Sequence, residues 1–331
     1  MSTTVAEVPD AHGPTPAGSD GEELPTRPTP RRSTLGQRMR REWQMHVFIL
    51  PGVLFFSLFA YIPLLGNVVA FQDFSAFRGI FGSQWVGLQN FANLFTDDEV
   101  LRAVANTLII SLLQIAFVFP APIILALFLN SLIGERIKRV IQTIVYLPHF
   151  ISWVIVIAIW QKVLGGAGPV AELLDLLGMH GVNIMTDPDT FKVLVVSQVI
   201  WKDIGWGTII FFAAIAAIPT ELYESAATDG AGSWRRMWHI TLPGLVPVIS
   251  LLLILTVGNL LTVGFEQLQL QQPAVGADAA QVLDTFVYFR GIAGGDWGLS
   301  AAAGLLKGVI ATLLVIAANR IAKRLGTGGI F

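Results

Sequence analysis

Six stretches of this chain each hold about 20 mostly apolar residues, the length a helix needs to cross roughly 30 Å of hydrocarbon. They cover residues 47–69, 104–129, 140–164, 193–218, 244–264 and 299–319. Lipid offers no water to a backbone, so each stretch must satisfy its own N–H and C=O groups, and a helix does so within one segment. Composition agrees: 53% of residues are hydrophobic and 13% charged, against about 25% charged in a typical soluble domain. The expected fold is therefore an all-α integral membrane protein with six transmembrane helices. Pro120 and Pro122 fall inside the second stretch, where each removes a helix hydrogen bond, so a kink or break is expected there.

Basic residues near the span ends set the orientation. Arg31, Arg32, Arg38, Arg40, Arg41, Arg136, Lys138, Arg139, Arg235, Arg236, Arg320, Lys323 and Arg324 make thirteen on one side. The opposite loops, roughly 71–100, 165–190 and 266–297, hold Arg78 and Arg290. Both termini and the loop after the fourth span are thus expected in the cytoplasm. Residues 1–40 are too polar to order themselves and read as a disordered cytoplasmic tail ahead of a transmembrane domain over 41–331. No apolar run lies near Met1, so a cleavable signal peptide is not expected. In the outer loop 71–100, Phe91, Leu94 and Phe95 suit one face of a short interfacial helix, and its Trp and Phe residues suit surface anchors.

Between the fourth and fifth spans lies a polar island, ESAATDGAGSWRRMWHITLP, over 224–243. Glu224, Ala227 and Ala231 recur at helical spacing, and Asp229-Gly230 offers a break, because glycine accepts a positive φ. A helix–turn–helix is expected, with Asp229 able to cap the second short helix. Leu242-Pro243 would open the next span, where the missing N–H of proline costs nothing. Ala226 and Ala227 allow a partner backbone to approach. Arg235 and Arg236 suit either a protein contact or anchoring at lipid headgroups. A solvated loop of some other membrane protein would have similar composition.

The island resembles the EAA loop of permease subunits of ATP-driven importers (ABC transporters). That pattern is Glu-Ala-Ala, three residues, Gly, nine residues, then Ile-x-Leu-Pro. Glu224-Ser225-Ala226, Gly230 and Ile240-Thr241-Leu242-Pro243 meet the spacing, with Ser225 in place of the first Ala. Further stretches resemble the maltose-type superfamily, most closely its polysaccharide and oligosaccharide importer branch: LPGVLFFSLFAYIPLLGNVVAFQDF (50–74), WVGLQNF (85–91), YLPHFISWVI (146–155), 201–231 and 304–326. The resemblance covers about residues 42–331 and implies import of oligosaccharides or other sugars across a bacterial inner or plasma membrane. It also implies that Glu224, Ser225, Ala226, Asp229, Gly230, Ala231, Arg235, Arg236, Ile240, Leu242 and Pro243 form an ATPase-coupling loop. One six-span chain encloses no complete pathway in that family. A second homologous permease, an ATP-binding ATPase dimer and an extracytoplasmic solute-binding protein are therefore implied, besides membrane lipid. The rival from another class is an ion-coupled secondary transporter or channel, marked by inverted repeats or broken helices with a midplane carboxylate.

No catalytic residue is expected in the chain itself. It has no G-x-x-x-x-G-K-[ST] phosphate loop, no H-E-x-x-H pair and no Cys. No cofactor, metal or nucleic-acid partner is expected, and hydrolysis belongs to another subunit. Polar groups inside spans are costly, so they are the candidates for the translocation path. Gln198, Lys202 and Asp203 share one face of the fourth span, with Asp203 about 22 Å from Ile218 by helical rise. Lys307 lies about 18 Å from Asn319 by the same rise. Either Lys307 pairs with Asp203 or both line the path, or else the lysines snorkel and Asp203 balances one of them. Gln114 and Asn259 complete the path set. Asn106, Gln161, Trp153, Trp160, Trp201 and Trp206 are further candidates, since amides bond sugar hydroxyls and rings meet C–H faces. Each also has an ordinary use as an interhelical tie or interface anchor.

Overall fold

A computed structural model describes residues 43–132 and 134–324, so the expected tail lies outside the described residues. Six helical segments are long and apolar enough to cross a membrane: Trp43–Phe71, Asp98–Asn130, Trp153–Leu176, Phe191–Ala216, Ser233–Gly258 and Trp297–Arg324. The only strands among the described residues are β1 (Gln72–Asp73) and β2 (Gln84–Trp85), an antiparallel pair with Gln72 opposite Trp85. Two compact units result, divided between Ile62 and Pro63. In the first, the helix Trp43–Phe56 and the π-turn Ser57–Tyr61 bury none of their described side chains.

The second unit has three small apolar cores. One joins Ala70, Leu94, Val100, Ala103, Phe286 and Leu299. Another joins Ile110, Phe191, Val195, Val263, Leu268 and Val282, and the third joins Ile123, Ala126, Phe211, Ile215 and Leu245. The second span contributes to all three, so it is the element the others are arranged around. Its other face leaves Leu112, Phe117, Ile124 and Phe128 exposed, as lipid contact requires.

At Pro120 and Pro243 the helix widens for one turn instead of breaking. A proline at position i lacks its N–H, and its ring strikes the carbonyl at i−4. In the second span the π-turn Gln114–Val118 precedes Phe119-Pro120, and Phe119 N–H donates to the Gln114 carbonyl at 3.0 Å. The fifth span repeats this, with the π-turn Met237–Thr241 before Leu242-Pro243. The extra residue in each turn absorbs the proline, and both helices run on. The α-helix Leu242–Gly258 starts where expected, with Pro243 in its first turn, but Ser233–Arg236 and the π-turn run into it, so the span reaches back to Ser233.

The third span departs furthest from the expected 140–164. Glu135–Tyr146 is one helix and Trp153–Leu164 another, with a 3-10 turn over Leu147–Phe150 between them. A further helix, Pro169–Leu176, follows a turn at 165–168. Twelve residues of α-helix rise only about 18 Å, so Trp153–Leu164 falls short of the hydrocarbon thickness by itself. Pro148 accounts for the interruption, because it has no N–H to continue the ladder. Gly205 on the fourth span brings that helix against the break: a Cβ there would lie 2.1 Å from the Val145 carbonyl oxygen. On the same helix Gly207 sits against Pro122 of the second span, where a Cβ would find ring carbon at 3.0 Å. Small residues thus set the spacing of three segments.

Candidate functional site

The hairpin after the fourth span is a helix–turn–helix. Thr220–Thr228 forms the first helix and Ser233–Arg236 the start of the second. Between them Gly230 takes φ +73°, a left-handed conformation that an L-residue resists. Gly230 N–H donates to the Ala227 carbonyl at 3.1 Å and Ala231 N–H to that of Ala226 at 2.8 Å. This paired closure is the Schellman motif, and it satisfies two carbonyls the helix end would leave free. Two details differ from the expectation. Ala231 lies beyond the turn, so it does not share the helix face of Glu224 and Ala227. Asp229 ends the first helix instead of capping the second, whose N-cap is Gly232 with no side-chain bond.

The hairpin is tied at its base. Tyr223 Oη and Thr241 Oγ1 share a hydrogen bond of 3.0 Å, joining the first helix to the π-turn. Glu224, Ser225, Asp229, Gly230, Arg235 and Pro243 are exposed, while Ala226, Ala231, Arg236, Ile240 and Leu242 are half-buried. A rigid, solvent-facing edge follows, anchored to spans four and five.

The six path candidates separate into four places. Gln114, Asp203 and Asn259 line one cleft of about 410 Å³ between spans two, four and five, with Trp206, Ser111 and Thr256. The π-turn beginning at Gln114 sets that side chain's place, and its Nε2 donates to the Val263 carbonyl at 3.4 Å. Behind the wall, His149 Nδ1 meets Asp203 Oδ1 at 2.8 Å, and the His149 ring stacks on Trp206 at 4.4 Å with planes 3° apart. His149 was not singled out from sequence; the X-Pro break that swings it inward was the available sign.

Lys202, beside Asp203, points elsewhere. Its Nζ donates to the carbonyls of Pro148, His149 and Ile151 at 3.3, 2.8 and 2.6 Å, and sits 5.6 Å over the Trp153 ring. Only 8% of Lys202 is exposed. The broken third segment is thus held by one ammonium, placed where carbonyl dipoles converge. Gln198 is fully buried: it accepts from Gln267 Nε2 at 2.7 Å and from Gln271 Nε2 at 3.0 Å, tying span four to the helix Phe265–Val275. Asn106 has a similar structural use, donating to the carbonyls of Asp278 and Gln281.

Lys307 does not pair with Asp203. It is bound to Asp284, on the short helix Leu283–Phe286, while Asp203 is bound to His149. The irregular segment between spans five and six supplies a carboxylate closer than any on span four. Replacing Lys307 and Asp203 singly and together is accordingly expected to give additive losses of thermal stability. The Lys307 and Asp284 pair should instead be non-additive by about 0.5–3 kcal/mol, as for contacting residues.

The sequence model of the family described as "Binding-protein-dependent transport system inner membrane component" matches residues 118–327. The polygalacturonan/rhamnogalacturonan transport system permease protein YteP of Bacillus subtilis is 42% identical over 302 residues, covering 91% of this chain and 94% of YteP. Protein LplB of the same organism is 41% identical over 294 residues, covering 88% and 92%. A crystal structure of a bacterial alginate ABC transporter, in complex with an alginate pentasaccharide-bound periplasmic protein, contains a chain with TM-score 0.82. That chain is 36% identical, and the match covers 89% of this one and 99% of it.

Proposed function

The chain belongs to the family of binding-protein-dependent transport system inner membrane components, and from that premise we propose that it passes oligosaccharides through a cleft between its second, fourth and fifth spans. As a membrane-spanning permease subunit it performs transport, and an ATPase partner performs hydrolysis. YteP is named for polygalacturonan and rhamnogalacturonan transport and the similar crystal structure for alginate, which points to oligosaccharide fragments of polysaccharides as the cargo class. A second homologous permease would close the path from the other side, and an extracytoplasmic binding protein would deliver the solute.

The observation that carries this reading is the cleft itself, where the amides of Gln114 and Asn259, the Asp203 carboxylate and the Trp206 ring meet. Amides and a carboxylate bond sugar hydroxyls, and an indole face accepts the C–H side of a pyranose. His149 holds both Asp203 and Trp206, by a hydrogen bond and by stacking. Exchanging Trp206 for Ala is expected to raise the half-saturating concentration for oligosaccharide uptake about tenfold, the effect of losing about 1.4 kcal/mol of contact. Asn at Lys192, exposed to neither the cleft nor the hairpin, should leave uptake unchanged. Unchanged uptake in the Trp206→Ala variant would remove the cleft from the path.

The hairpin is read as the handle that the ATPase moves. Its exposed edge, its Gly230 turn and the Tyr223–Thr241 tie support this role, as a rigid lever needs a free face and a fixed root. The basic residues of 136–139, 235–236 and 320–324 support a cytoplasmic position for it.

A further inference from the structure

We propose that the root of the hairpin binds one anionic phospholipid, with the headgroup at Arg236 and an acyl chain in the groove beside it. Two cavities adjoin there, sharing Leu127, Ser233 and Met237 in their walls. The smaller, about 190 Å³, is polar, and Asn130, Tyr223, Arg236 and Thr241 line it. The larger, about 600 Å³, is lined by apolar groups that include Ile124, Phe128, Trp234 and Trp238. One ligand that is charged at one end and hydrocarbon at the other fits both.

The charge of that ligand follows from the polar wall. Among the described residues Arg236 is the only ionised side chain lining the small cavity. Its Nε is buried without a hydrogen-bond partner, a state that costs free energy until an acceptor arrives. A phosphodiester supplies such an acceptor with a full negative charge, and charge-assisted bonds to guanidinium are among the stronger ones. The apolar side answers a different demand. Trp234 and Trp238 meet edge to face at 6.1 Å and are 71% and 50% exposed. Indoles at the end of a span belong at the headgroup level, and basic pockets between spans bind anionic headgroups. A free phosphate would use only the small cavity and leave the groove uncovered. The site goes beyond the transport reading and does not depend on an ATPase contact.

Native mass spectrometry of the full-length chain, released from membranes of equal parts phosphatidylglycerol and phosphatidylcholine, tests this directly. The wild type should retain one phosphatidylglycerol in preference to phosphatidylcholine. Arg236→Gln should weaken that preference about tenfold, the size expected for one charge-assisted hydrogen bond. Arg235→Gln, on the exposed neighbour, should keep it. Ile124→Trp fills the groove and should lose both lipids, which keeps the test open if Arg236→Gln fails to insert. Equal retention of the two lipids by the wild type would overturn the proposal. So would unchanged phosphatidylglycerol in either Arg236→Gln or Ile124→Trp, or its displacement by inorganic phosphate or by an added protein partner.

Discussion

A tryptophan at Gly230 is expected to reduce substrate-stimulated ATP hydrolysis to the unstimulated rate while the chain still inserts in the membrane. The turn demands φ +73°, and an L-residue held there costs about 1–2 kcal/mol. That strain is small beside the packing of spans four and five, so the fold should survive it. Nothing within 4 Å would meet even a Cβ at this position, so the new side chain projects into whatever docks on the hairpin. Gly178 provides the control: it too has a positive φ, +83°, and open space around it, but lies after the helix Pro169–Leu176. Gly178→Trp carries the same kind of strain and should leave stimulated hydrolysis intact. Stimulated hydrolysis is read with the assembled transporter and its binding protein. Full stimulation in the Gly230→Trp variant would show that no partner grips the turn.

The second large effect is expected at Lys202. Methionine there keeps most of the apolar stem and removes the ammonium on which three carbonyls converge. Each buried polar group left without its partner costs about 1–3 kcal/mol, so the loss should reach several kcal/mol. The Pro148 carbonyl also accepts from Ile151 N–H at 3.3 Å, so the larger share should come from His149 and Ile151. The turn over Leu147–Phe150 carries His149, and its loosening should release Asp203 and Trp206 in the cleft. Lys202→Met is therefore expected to lower the thermal midpoint of the purified chain and to weaken oligosaccharide uptake together. Lys202→Arg, which keeps the charge, should lose less of both. A Lys202→Met protein as stable as the wild type would mean that the ammonium does not hold the break.

What could be read from sequence depended on whether a residue's partner was near in the chain. The apolar runs announced six spans because lipid imposes length and composition directly. The Gly230 turn was legible because its cause, a positive φ, sits in one residue. Asp97 shows a local sign passed over: its Oδ1 accepts from Glu99 N–H at 2.9 Å and starts the second span at Asp98, six residues before the expected boundary. Lys202 and Asp203 were read as one face, yet neighbours on a helix differ in direction by about 100°. One therefore enters the broken segment and the other the cleft. Lys307 found Asp284, and Gln198 found Gln267 and Gln271, in the irregular stretch between spans five and six. No periodicity in the sequence places such a stretch against the spans, so these pairings were beyond reach. The break at Pro148 was hidden for a related reason: hydropathy is indifferent to whether apolar backbone is helical.

A handle worked by an ATPase requires the hairpin to face the cytoplasm. The chain contains no Cys, so a cysteine placed at Ser225 is a unique thiol on the exposed edge. A membrane-impermeant maleimide applied to intact cells should leave Ser225→Cys unlabelled and should label Phe77→Cys, which lies in the loop between β1 and β2. Inside-out vesicles should give the opposite pattern. Labelling of Ser225→Cys from outside intact cells would contradict the account.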